Sequence, residues 1–111
     1  MPGGDDQAQA DLQLVLNVLI WGMNPQQAVE APRFSTQTLV NSFYPRVYRP
    51  GQLNVERGIP ESTRAELRAL GHKVSEIGAC GIGAVVTHRD PESGVLSAGA
   101  DPRRPTYALA W

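Results

Sequence analysis

Apolar and polar positions divide this chain into blocks of different period. From Asp11 onward, Leu12, Leu14, Val15, Leu16, Val18, Leu19, Ile20 and Trp21 are interrupted only by Gln13 and Asn17. With Gln9, these two polar residues recur every four positions and make one narrow stripe. The spacing predicts a helix that starts at Asp5 or Asp6, reaches Trp21 and stops at Gly22. Either aspartate suits the N-cap, and Asp6 and Gln9 have the capping-box spacing. A helix apolar over most of its circumference needs cover on several sides. The rest of the chain reads as too thin to supply that cover.

The later blocks are shorter. Asn24-Pro25-Gln26-Gln27 opens a second helix, with Asn24 as cap, Pro25 at the first helical position and Gln27 completing a box. It ends before Pro32, because the residue preceding a proline avoids the helical region. A short strand is expected within residues 34–40, then a turn-rich aromatic loop over 41–52. Leu53 and Val55 alternate with polar neighbours as in a strand. Pro60 begins a third helix that ends at Leu70 before Gly71, with Thr63, Leu67 and Leu70 as its apolar edge and Arg64, Glu66 and Arg68 toward solvent. Residues 72–77 read as a strand, 82–88 and 95–99 as a hairpin around the turn 90–94, and 107–111 as a last strand.

Composition narrows the class. At 111 residues the chain is long enough for one core, and 41% hydrophobic against 19% charged residues excludes a disordered segment. The net charge of −1 and the lack of a basic run give no footprint for nucleic acid or an anionic membrane surface. The first apolar segment, residues 12–23, is too short to span a bilayer, no signal peptide is evident, and the chain reads as soluble. One cysteine, Cys80, excludes an internal disulfide and leaves the compartment open between cytoplasm and periplasm.

Candidate chemistry is sparse. In Pro2-Gly3-Gly4-Asp5-Asp6 two glycines offer unobstructed backbone N–H groups just before a helix N-terminus, an arrangement that suits an anion or oxyanion site and equally an ordinary turn. Cys80 has no histidine near it, and His72 and His88 lack the companions of a zinc site, so no metal is expected. No phosphate loop or dinucleotide fingerprint is present, and no cofactor is expected. Asp90 and Glu92 belong to a turn. The proline-fixed bend Asp101-Pro102-Arg103-Arg104 suits either a structural ion pair or a substrate clamp. An oxyanion site thus stands without a nucleophile or a base.

Taken together, Pro2-Gly3-Gly4-Asp5, Leu16-Asn17-Val18-Leu19 and the series from Gly22 through Asn24-Pro25-Gln26-Gln27-Ala28-Val29-Glu30-Ala31-Pro32-Arg33-Phe34 resemble the C-terminal part of the γ-glutamyltransferase (γ-glutamyltranspeptidase) family. Ile59-Pro60-Glu61, Leu70-Gly71-His72-Lys73-Val74 and Gly99-Ala100-Asp101-Pro102-Arg103-Arg104 follow in the family's order. Ser42-Phe43-Tyr44-Pro45 and the ending Ala110-Trp111 look more like the bacterial γ-glutamyltransferase-like branch. The resemblance implies an α+β fold, part of the αββα sandwich of N-terminal nucleophile hydrolases. It also implies a precursor that cleaves itself, so that a new N-terminal threonine attacks a γ-glutamyl carbonyl and water or an amine takes the acyl group. On this reading Gly3 and Gly4 supply oxyanion-hole N–H groups, and Asp101 and Arg103 serve folding or maturation. The family's nucleophile lies upstream of the paired glycines, whereas Thr36, Thr38, Thr63, Thr87 and Thr106 are internal. The expected partners are the upstream part of the same enzyme and a γ-glutamyl small molecule. The rival readings are a non-catalytic self-associating domain, partnered by its own copies, and a small-anion-binding module.

Overall fold

The computed structural model describes residues 3–80 and 82–110. Pro2 of the glycine motif, Gly81 beside Cys80, and Trp111 of the expected last strand lie outside the described residues. Three helices and five strands follow in the order α1 (Asp6–Leu19), α2 (Pro25–Glu30), β1 (Phe34–Thr36), β2 (Gln52–Glu56), α3 (Glu61–Ala69), β3 (Lys73–Ile77), β4 (Val85–Arg89) and β5 (Leu96–Ala100). The fold is mixed α+β with small sheets, as the resemblance implies. The chain divides into two compact units, Met1–Ala31 with Gly81–Trp111, and Pro32–Cys80.

In the first unit, α1 packs on α2, and α2 lies across the antiparallel β4–β5 hairpin. Ala10, Leu14, Val29, Ile82 and Ala84 form the core, with Val86 against it. The capping box of α2 forms as expected: Asn24 Oδ1 accepts from Gln27 N at 2.9 Å, and Asn24 N donates to Gln27 Oε1 at 3.1 Å. Gly99 lets this helix approach β5 closely, since a Cβ there would sit 2.4 Å from the Pro25 carbonyl. The amide of Gln26 then docks on the strand, donating to Ala100 O and accepting from Ala100 N, both at 3.1 Å.

The first helix departs from expectation at its start and on its faces. Its N-cap Asp5 has a helical backbone (φ −69°) and makes no side-chain cap, and Asp6 lies inside the helix, so the expected Asp6–Gln9 box does not cap it. The carbonyls of Gly3 and Gly4 close the first turn instead, accepting from Asp6 N and Gln7 N at 3.1 Å. The buried line is Ala10, Leu14 and Asn17. Asn17, a member of the polar stripe, is therefore interior, where its Nδ2 donates to Ala28 O at 3.3 Å. Leu12, Val15 and Leu19, 60%, 51% and 69% exposed, occupy the outer face. Among the described residues, Leu16 and Val18 flank the buried line half-covered, and the opposite face is open.

In the second unit β2 is the central strand, antiparallel to β1 and parallel to β3, with α3 in the crossover and packed on β3. Leu53 and Val55 alternate inward as their spacing predicts. Glu56 is also buried: its carboxylate accepts from Arg33 N at 2.9 Å and from Cys80 N at 2.6 Å, joining the two ends of this unit. The expected apolar edge of α3 is covered only at Leu67, which is half-buried. Leu70 is 78% exposed and Thr63 exposed, while Arg64 turns inward onto Glu76 of β3 and pairs with Glu61 at 3.0 Å. Residues 107–110 form no strand; Tyr107 and Leu109 are exposed.

Candidate functional site

Gly3 and Gly4 both adopt positive φ, +152° and +55°, values that side chains other than glycine's resist. Their carbonyls are committed to the first turn of α1. The backbone here thus enters a 14-residue helix through two consecutive conformations that glycine alone takes readily. Gly3 is also held from behind. A Cβ on it would lie 2.2 Å from Ile82 Cγ2, so only hydrogen fits in that direction. Gly4 is exposed.

The bend after β5 builds the second constellation. Asp101 is buried; its Oδ2 accepts from Ala84 N at 3.3 Å and its Oδ1 from Arg103 N at 3.0 Å. The Arg103 guanidinium reaches the same Oδ1 at 3.1 Å and then grips the end of α2, donating to Val29 O (2.6 Å), Glu30 O (3.3 Å) and Ala31 O (3.0 Å). Those carbonyls close a helix and have no intrahelical donor to meet. Thr106 Oγ1 donates to Asp101 O at 2.8 Å and secures the bend. Arg104 is exposed, whereas Arg103 is committed to Asp101 and the carbonyls that close α2.

The other candidates are dispersed. Cys80 is buried and its N–H is held by Glu56 in the second unit. His72 stands exposed just before β3, and His88 lies on β4 in the first unit. Among the described residues no group of three or more His, Cys, Asp or Glu side chains is gathered as a metal site would need. Asp90 closes its turn: hydrogen bonding from Ser93, then from Glu92 N, holds its carboxyl below the usual range. Beside α1 an apolar groove of about 410 Å³ runs along β4, lined by Leu14, Val15, Leu19, Val85, Val86 and His88. The sequence reading missed Ile82 as the backing of Gly3 and Glu56 as the tie of the second unit. Ile82 reads only as one apolar residue in a β-branched run, and a buried glutamate has no local signature.

Comparison with known proteins gives these features a setting. The structure superimposes on a cephalosporin acylase from Bacillus halodurans with a TM-score of 0.79 and 32% identity, over 98% of this chain and 19% of that one. Its structural neighbours are N-terminal nucleophile hydrolases of the γ-glutamyltranspeptidase and acylase type, the fold class that the sequence suggested. The sequence model described as gamma-glutamyltranspeptidase matches residues 1–111, and the chain belongs to that family. It is 31% identical to the glutathione hydrolase-like YwrD proenzyme of Bacillus subtilis (strain 168) over 91% of its own length. It is 33% identical to the glutathione hydrolase proenzyme of Escherichia coli (strain K12) over 92% of its own length. It spans only 18% and 16% of those two proteins. Among the described residues no helix is long and apolar enough to cross a membrane.

Proposed function

We propose that this chain is the C-terminal part of a γ-glutamyl-transferring or γ-glutamyl-hydrolysing enzyme and that Gly3 and Gly4 supply its oxyanion hole. The observation that carries the reading is the pair of positive-φ glycines at the head of α1, in a chain of this family. Attack of a threonine hydroxyl on a γ-glutamyl carbonyl places negative charge on the carbonyl oxygen. Fixed backbone N–H donors stabilise that charge without reorganising, worth about 10²–10³ in turnover for each donor. On this reading the nucleophile belongs to a segment outside these 111 residues, because the family's threonine lies upstream of the paired glycines, whereas every threonine here follows Gly3 and Gly4. The outer face of α1 supports this assignment. Leu12, Val15 and Leu19 form an exposed apolar stripe beside the groove on β4, a surface suited to burial by the upstream part of the same enzyme. Asp101 and Arg103 act in folding or maturation, by fixing the end of α2 to the hairpin.

The test is assembly with a separately produced, threonine-led upstream segment of a family member, followed by an assay with a chromogenic γ-glutamyl anilide. Turnover that requires both pieces and falls in a Gly4→Ala variant supports the proposal. A correctly assembled complex without turnover overturns it. A compact homo-oligomer that ignores the upstream segment would favour the self-associating domain instead.

A further inference from the structure

We infer that the β-branched methyl group of Ile82 is the positioning element for the Gly3–Gly4 turn. The inference rests on the oxyanion reading for its catalytic consequence, but not for the geometry itself. Ile82 is fully buried, in the core formed with Ala10, Leu14, Val29 and Ala84. Its Cγ2 occupies the space that a Gly3 side chain would take: a Cβ there would stand 2.2 Å from Cγ2 and 3.1 Å from the Ile82 Cβ. Gln7 Cγ, from the first turn of α1, would lie 3.3 Å from the same Cβ, so two side chains crowd the position that Gly3 leaves empty.

Backbone N–H groups cannot re-aim themselves as a side chain can. The turn is tied to α1 through Gly3 O and Gly4 O, and Ile82 is the side chain that backs it from the core. Close-packed interiors transmit displacements of this kind. A misplacement of about 1 Å at a catalytic group can cost about 10²-fold in rate. Ile82 is on this view a positioning residue that touches no substrate.

Shape, more than bulk, is the property at issue, and two substitutions separate them. Ile82→Val keeps both branches at Cβ and drops only the terminal methyl. Ile82→Leu keeps the volume and removes the branch that meets Gly3. If Ile82 served only to fill the core, the volume-conserving Leu would be the milder change. Positioning by the branch predicts the reverse order.

Two readouts keep this separate from the function proposed above. In ¹⁵N-labelled full chain, Ile82→Leu should move the Gly3 and Gly4 amide resonances while leaving the Asn24 and Gln27 amides of the capping box in place, and Ile82→Val should move them less. In the assembled enzyme, Ile82→Leu should lower kcat about tenfold or more with KM changed by less than about twofold, as expected when stabilisation present only in the transition state is lost. Ile82→Met, also unbranched at Cβ and more adaptable, replaces Ile82→Leu if the latter does not fold. Unmoved glycine amides in the unbranched variants, or a larger displacement in Ile82→Val, overturn the inference whether or not the assembled enzyme turns over. A silent wild-type complex with displaced glycine amides would defeat the oxyanion reading and leave the positioning intact.

Discussion

A guanidinium surrounded by three backbone carbonyls and a buried carboxylate has no conservative replacement. Arg103 holds Val29 O, Glu30 O and Ala31 O together with Asp101 Oδ1, and its planar fork meets them from fixed directions. Arg103→Ala strands the buried Asp101 carboxylate and leaves the end of α2 open. It should cost about 3–5 kcal/mol, the usual penalty for removing one member of a buried pair. Arg103→Lys keeps the charge but not the fork, and should recover only part of that loss. Urea unfolding of the two variants beside the parent chain checks both expectations. The Asp-Pro-Arg spacing announced a bend with charges, but the three carbonyls that Arg103 meets were invisible in it. They lie 72–74 residues earlier in the chain.

At the scale of elements, α3 and β3 are held together through charge. Arg64 hydrogen-bonds Glu76 and, with help from Arg57, keeps the Glu76 carboxyl below its ordinary 4.5. Arg68 and then Arg64 lower Glu61 in the same way. A carboxylate whose folded pKa is depressed contributes stability above its unfolded value and loses it as pH falls through the folded one. The melting temperature should therefore drop as pH is lowered from about 5 toward 3, and Arg64→Gln should flatten that dependence. The effect should also shrink in high salt, because these carboxylates are open to solvent. Melts recorded across that pH range with and without added salt check this prediction. Helical periodicity placed α3 correctly, with Leu67 toward cover and Glu66 and Arg68 toward solvent, but it misplaced Thr63, Leu70 and Arg64. Charge alone places Arg64 toward solvent, yet the neighbour on its inner side, Glu76, is itself charged. The capping box of α2 was fully legible, since all its partners lie within four consecutive residues.

For the whole molecule the governing fact is the apolar stripe of α1. Leu12 and Leu19 are mostly exposed, so Leu12→Glu and Leu19→Lys should each change the stability of the isolated chain by less than about 0.5 kcal/mol. The same changes should abolish assembly with the upstream segment, which sedimentation velocity reads directly. A chain unfolded by either substitution would show that the stripe is already buried in solution.

The sequence by itself determined what depends on near neighbours: the three helices and the five strands in their order, though it added a strand over 107–111 that residues 107–110 do not form, the box at Asn24, the hairpin around residues 90–94, and the glycine pair before a helix. It also carried the family, through short motifs recurring in a set order. Only the tertiary structure decided that Asn17 goes inward while Leu12 stays out, that Glu56 is interior, and that Ile82 stands behind Gly3. The physical reason is that a periodic pattern states what each face of a helix or strand is made of. Which face finds a neighbour, and whether that neighbour offers a carbonyl, a charge or a methyl group, is set by residues far away in the chain.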